Sequence, residues 1–226
     1  MREYMILNLQ GPMQAWGEHT FEGKRPSGTF PTRSALLGLL GACLGIRRNE
    51  PHRMQQLADS VAFAVRKEVR FRTKRNGRKL SLPIIKVTDY HTVQDAREDC
   101  AGLKSHDTIQ TWREYLFDAA YTVAVWSTER ATLPLADLEQ AVKTPHFTPY
   151  LGRRSCPLSR PLFEAKLYAA DALAALRAVP SEGGTIYSEE QGETRTIRMR
   201  DVPLERQPRQ FASRNVYVYG GSDVSE

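Results

Sequence analysis

A short apolar strand breaks at glycine-proline and returns to the interior as a helix that is apolar on nearly every side. Nothing else in the chain so narrows what it can fold into. Tyr4 to Leu9 reads as the strand, and Gly11-Pro12 ends it. The stretch Met13-Gln14-Ala15-Trp16-Gly17 follows, and then a basic loop carrying Lys24, Arg25 and Arg33. From Ser34 to Leu44 the pattern predicts a helix that must be covered all round. Ser34 is placed to cap its free amides and Gly45 to close it. Gly38 and Gly41 leave one side open to the close approach of another backbone. Strand, basic loop and helix start together form a platform for an extended anionic ligand.

Beyond this block, Pro51 opens a second helix with Met54, Leu57 and Ala58 inward. Val61 to Phe71 alternates as a strand, and Asn76-Gly77 signals a hairpin turn with Leu82 to Val87 as the return arm. Residues 89–108 are polar and read as an extended excursion. Residues 109–116 fit a strand or a helix, because Ile109, Trp112 and Leu116 also have helical spacing. Ala120 to Trp126 is a strand and Pro134 to Val142 an amphipathic helix. This order matches a split βαβ, ferredoxin-like core, the layout of RRM domains. The loop from Thr144 to Pro161 holds four prolines and marks a boundary between residues 1–146 and 147–226. Past it, strands are expected over 162–168, 185–188, 194–200 and 214–219, with one helix over 171–179. The expected class is α+β: a ferredoxin-like (RRM-like) core with a small β-rich C-terminal domain.

Charge narrows the partner. The net charge is +6, but Arg66 to Lys79 holds eight Lys or Arg and a single Glu. That cluster points to a polyanion, or else to a solvated hairpin. Cysteines 43, 100 and 156 have no metal-ligand spacing, and Cys43 reads as a small buried hydrophobe. No metal or other cofactor is expected. The longest apolar run, Ala35 to Ile46, is too short for a bilayer, so a cytoplasmic chain with no membrane partner is expected.

Several side chains suit nucleic acid. In Tyr150-Leu151-Gly152-Arg153-Arg154-Ser155, the arginine forks fit phosphate, Gly152 lets backbone amides come close, and Tyr150 offers a stacking face. A plain exposed turn is the competing reading. Arg209, Gln210 and Arg214 either line the same groove or protect a strand edge. Trp16 is favoured over Trp112 as a base-stacking residue, with a buried loop anchor as its alternative. Tyr217 and Tyr219 alternate as a strand face. His91 and His106 lie among acidic residues without any ligand pattern, so solvated side chains are the better reading than a metal or acid–base cluster. No phosphate loop, nucleophile elbow or zinc-protease motif occurs, and nothing compels an enzyme.

Four blocks in order carry a family resemblance: Gly11–Gly45, Tyr90–Leu116, Thr148–Pro157 and Pro208–Arg214. They resemble the CasD family, a type I-E Cascade subunit of the CRISPR systems. The resemblance implies a non-catalytic subunit that grips the 5′ handle of the crRNA and caps a filament of CasC subunits. It also implies contact with the large subunit CasA and, through the assembled complex, with target DNA. A thumb is implied at about residues 72–112, carrying His91, Arg97, Lys104 and His106. Gln14, Trp16, Lys24, Arg25 and Arg33 are expected to form one wall of the RNA site, with Tyr150, Arg153, Arg154, Arg209, Gln210 and Arg214 opposite. The alternative is a metal-independent endoribonuclease that cuts repeat RNA, as a type I-C relative does.

Overall fold

The computed structural model describes residues 1–18, 23–94, 108–204 and 210–220. The chain begins with strand β1 (Arg2–Gln10), and four two-residue strands follow in the basic loop: β2 (Met13–Gln14), β3 (Trp16–Gly17), β4 (Lys24–Arg25) and β5 (Ser27–Gly28). Helices α1 (Arg33–Cys43) and α2 (Pro51–Ser60) lead to β6 (Val61–Glu68). Two hairpins come next, β7 (Arg70–Thr73) with β8 (Lys79–Leu82), and β9 (Ile85–Val93) with β10 (Ile109–Phe117). The chain then runs through β11 (Ala120–Ser127), α3 (Leu135–Lys143), β12 (Phe163–Ala169), α4 (Ala172–Ala178), β13 (Gly184–Ser188), β14 (Arg195–Leu204) and β15 (Gln210–Tyr219).

Seven of these strands form one antiparallel sheet, ordered β12-β1-β11-β6-β13-β15-β14. Strands from both sides of the expected boundary at 146/147 share it, so hydrogen bonding does not stop there. The alternating residues of the central strands face two cores. Met5, Leu7, Leu9, Phe63, Val65, Val123 and Val125 pack with α1, α2 and α3 on one side. Tyr4, Ile6, Ala64, Ala124 and Trp126 pack with α4 on the other. A helix therefore covers part of the sheet face that an RRM leaves open to RNA.

Local chemistry explains most element ends. Thr32, not Ser34, caps α1 by accepting from the Ala35 amide at 3.3 Å. Gly45, at φ +70°, lies just past the end of α1, and its amide donates to Ala42 O. A Cβ at Gly41 would press on the side chain of Met54 from α2, whereas one at Gly38 would meet nothing within 4 Å. Thus α1 seats a side chain there, not a second backbone. Asp171 caps α4, and the buried Arg66 donates to the carbonyls of Leu176 and Val179 at its far end. Arg66, read from sequence with the basic cluster, is thereby an internal residue. Residues 109–116 resolve as strand, and the segment from 85 to 93 is its partner, so residues 89–93 of the expected excursion belong to a β-ribbon, while residues 95–107 lie outside the described residues. The return arm of the Asn76-Gly77 turn is β8, earlier than expected. No helix among the described residues is long and apolar enough to cross a membrane.

Candidate nucleic-acid interface

The loop after β1 and the loop before β12 interlock through two glycines. Gly11 leaves no room for a Cβ, which would lie 2.4 Å from Pro157 O. Gly152, at φ +87°, brings its α-carbon so close to Ala15 that a Cβ would lie 1.7 Å from the Ala15 carbonyl oxygen. The Ala15 amide donates to Leu151 O at 3.1 Å, and Tyr150 bridges to Pro157. The close approach that Gly152 permits is thus to the chain's own backbone, and not to a ligand.

Several expected contact residues are spent on this architecture. Gln14 is fully buried, and its amide donates to the carbonyls of Leu9 and Ala119. Trp16 is also buried, edge-on to Tyr121 with ring centroids 6.1 Å apart, while its backbone amide donates to Ser27 Oγ. It is the loop anchor and offers no face for a base. Arg33 pairs with Glu189 and donates to Ala58 O and Val61 O, tying α1 to the β6 entrance. Arg214 forks onto Asp201, both contacts at 2.7 Å, and Asp201 also accepts from the Arg33 amide. These four side chains build the scaffold of the site; their own polar groups face protein.

What remains at the surface is compact. Strand β4 runs parallel to β10, placing Lys24 beside Trp112 and Arg25 beside Arg113. Arg153 lies 4.6 Å above the Tyr115 ring and donates to Glu114 O and Arg25 O. Arg113 and Tyr115, two apart on β10, share a face, so Arg113 and Arg153 lie on the same side of the ribbon. Arg154 is exposed and Tyr150 is 40% exposed in the same loop. Gln210 is exposed at the start of β15. Arg113 was not among the expected residues. Its signal was present, since it alternates with Thr111 and Tyr115, but the strand-or-helix ambiguity of this segment hid it.

Glu114 organises this cluster from the opposite face of β10. Burial pushes its carboxyl up, yet the Ser27 amide at 3.0 Å, the Lys86 ammonium at 3.0 Å and nearby Arg153 together hold it below the usual carboxylate range. Trp112, 44% exposed, packs near Tyr90 on that same opposite face. Exposure therefore favours Trp112 over Trp16 as an available aromatic surface. His91 lies on β9 with Nε2 2.5 Å from Asp89. Arg97, Lys104, His106 and Arg209 lie outside the described residues. Cys43 and Cys156 are buried, and burial raises the Cys43 thiol to about 11, which leaves it inert.

The family model for CRISPR-associated protein (Cas_Cas5) matches residues 4–217. The chain is 55% identical, over its full length and that of the relative, to the CRISPR system Cascade subunit CasD of Escherichia coli (strain K12). Among solved structures it is similar to a chain of a CRISPR RNA-guided surveillance complex, with a TM-score of 0.68 and 28% identity, covering 96% of this chain and 89% of that one. A Cas protein crystal structure is similar at a TM-score of 0.59 and 26% identity, covering 96% and 93%.

Proposed function

Because the chain belongs to the CRISPR-associated protein (Cas_Cas5) family, we propose that it is a non-catalytic crRNA-binding subunit of a type I-E CRISPR Cascade surveillance complex. In this reading it grips the 5′ handle of the crRNA, caps the CasC filament, contacts CasA and meets target DNA through the assembled complex in the cytoplasm. The observation that carries the RNA contact is the junction of the two interlocked loops with β10. There Arg25, Arg113 and Arg153 converge, with Arg154 and Tyr150 beside them. Arginine forks suit phosphates, and an exposed tyrosine suits an unstacked base. Gln14 and Trp16 act one layer beneath, by fixing the first loop, while Arg33 and Arg214 brace the start of α1 against β6 and β14. Gln210 extends the surface.

The ferredoxin-like reading of the core is supported by β1, β6, β11 and β12. They follow the order strand-helix-strand-strand-helix-strand and lie as β12-β1-β11-β6, antiparallel throughout. The division into residues 1–146 and 147–226, with a thumb at about 72–112, is kept as a functional one. Within it β9 and β10 form the stalk, and the apolar end of β10, with Tyr115 and Leu116, belongs to the core. The endoribonuclease alternative gains nothing from the relatives, whose names describe a complex subunit.

The test is co-purification with the other Cascade subunits and sequencing of the retained RNA. Replacing Arg113 and Arg154 with Ala should flatten the salt dependence of RNA retention by about 1.4 log units per log salt, if each neutralises one phosphate of a single strand. A complex that retains no crRNA refutes the reading. An unchanged slope removes these two residues from it.

A further inference from the structure

A second cationic surface stands apart from the loop junction. The β7–β8 hairpin spans residues 70–82 and holds six Lys or Arg and no Asp or Glu. Every residue from 71 to 83 is exposed. The strand register places Arg72 opposite Leu80, and the Lys74 amide donates to Arg78 O near the turn. Alternation along β7 therefore puts Arg70, Arg72 and Lys74 on one face, about 7 Å apart in succession. Arg75 and Arg78 flank the Asn76-Gly77 tip.

The hairpin is fixed at its base and on one side. Arg70 donates to Asp118 O at 2.7 Å and pairs with its carboxylate at 3.1 Å. Lys79 pairs with Glu182 at 2.7 Å. No acidic side chain among the described residues pairs with Arg72, Lys74, Arg75 or Arg78. Glu182 precedes β13, which flanks β6, whereas the loop of Arg153 precedes β12, which flanks β1. The two cationic surfaces thus leave the sheet toward opposite flanks.

We infer that the β7–β8 hairpin binds the phosphate backbone of duplex DNA. The inference rests on the reading of the chain as a subunit of an RNA-guided complex. The charge is one-signed, pre-positioned and solvated, as counterion-releasing phosphate contact requires. The chemistry selects a duplex over a single strand. Proteins that hold single strands interleave cations with stacking aromatics. Here the cationic face carries Leu80 and Leu82 opposite the arginines, and the hairpin's one aromatic, Phe71, points to the other face, where Lys79 lies 5.9 Å from its ring centre. A face of this kind has no means to read splayed bases, but it matches the outside of a stacked helix.

The experiment uses the assembled complex with its crRNA. Arg72, Lys74, Arg75 and Arg78 are all replaced with Gln, and a second variant carries Arg72→Lys, Arg75→Lys and Arg78→Lys. Binding is measured across salt for a target duplex with long flanks and for a single-stranded complementary target without flanks. The Gln variant should lose up to about 3.6 log units per log salt on the duplex if each cation meets one phosphate, and the Lys variant should keep the slope. Single-strand binding and crRNA retention should match the wild type. An unchanged duplex slope overturns the inference. Equal losses on duplex and single strand overturn it too, because the hairpin would then serve the guide–target path. A wild-type complex without crRNA refutes the underlying reading instead.

Discussion

Gly152→Ala is the substitution that most directly tests how the RNA-facing loops are built. At φ +87° an alanine occupies left-handed backbone, which costs about 1–2 kcal/mol. Its Cβ would lie 1.7 Å from the Ala15 carbonyl oxygen, where ordinary contact begins at 3.4 Å. The obstructing atom is backbone, so no rotamer change relieves it. The loops must separate, and the bond from the Ala15 amide to Leu151 O is lost, at about 1 kcal/mol. Together these give about 3 kcal/mol of destabilisation. For a chain of this length that corresponds to a melting point lower by about 6–12 °C. Thermal unfolding followed by circular dichroism, and a urea midpoint at constant slope, measure it. Gly17→Ala is the control, because a Cβ there meets nothing within 4 Å. It should stay within about 0.5 kcal/mol of wild type. If Gly152→Ala unfolds like Gly17→Ala, the interlock does not hold the loops and the scaffold argument fails.

Asp201→Ala should cost about 3 kcal/mol, since it removes the two hydrogen bonds that Arg214 makes to Asp201 and the acceptor of the Arg33 amide, leaving Arg214 only its pair with Glu189; an unfolding midpoint near wild type would show that this cluster is dispensable. Gly38→Ala should stabilise the chain by about 0.5–1 kcal/mol, because the added Cβ in α1 meets open space; a lower melting point would contradict the packing of that face. Glu114 is held below its ordinary pKa in the folded state, so its contribution is present above about pH 4.3 and fades as pH falls through the depressed value. Glu114→Gln should therefore show a shallower loss of stability in acid than wild type, and parallel acid-unfolding curves would refute that linkage.

The elements that can be read from the sequence are those whose signal is local. Alternation in Ala120 to Trp126, Pro51 at a helix start and Asn76-Gly77 at a turn each depend on nearest neighbours, and each sits where expected. The strand over 109–117 was ambiguous because one edge of it is paired by β9, across a long sequence gap, and the other by two-residue pieces of the first loop. Periodicity cannot register such partners. The continuous sheet was hidden for a related reason. A proline-rich loop looks like a boundary whether the chain beyond it leaves the sheet or returns to its edge, as β12 does beside β1.

The candidate site shows the same limit for side chains. Sequence identifies which residue types suit RNA, but not whether their hydrogen-bonding groups are already used. The sequence favours Trp16 over Trp112, but the ring of Tyr121 against the first and the exposure of the second reverse that order. Arg33, Arg153 and Arg214 differ by their partners alone. Asp201 and Glu189 consume two of them, while Arg153 is half-buried and donates to backbone carbonyls. That difference has a functional consequence. Arg153 donates to carbonyls and forms no direct ion pair among the described residues, although the Glu114 carboxylate lies near it, so it still adds to the positive field at Arg113. The carboxylate-paired Arg33 and Arg214 add little to it. Removing Arg33 or Arg214 should therefore act on folding, and removing Arg113 or Arg154 on RNA retention. Arg153→Ala should act on both at once, with a lower melting point and a flatter salt slope in the same variant.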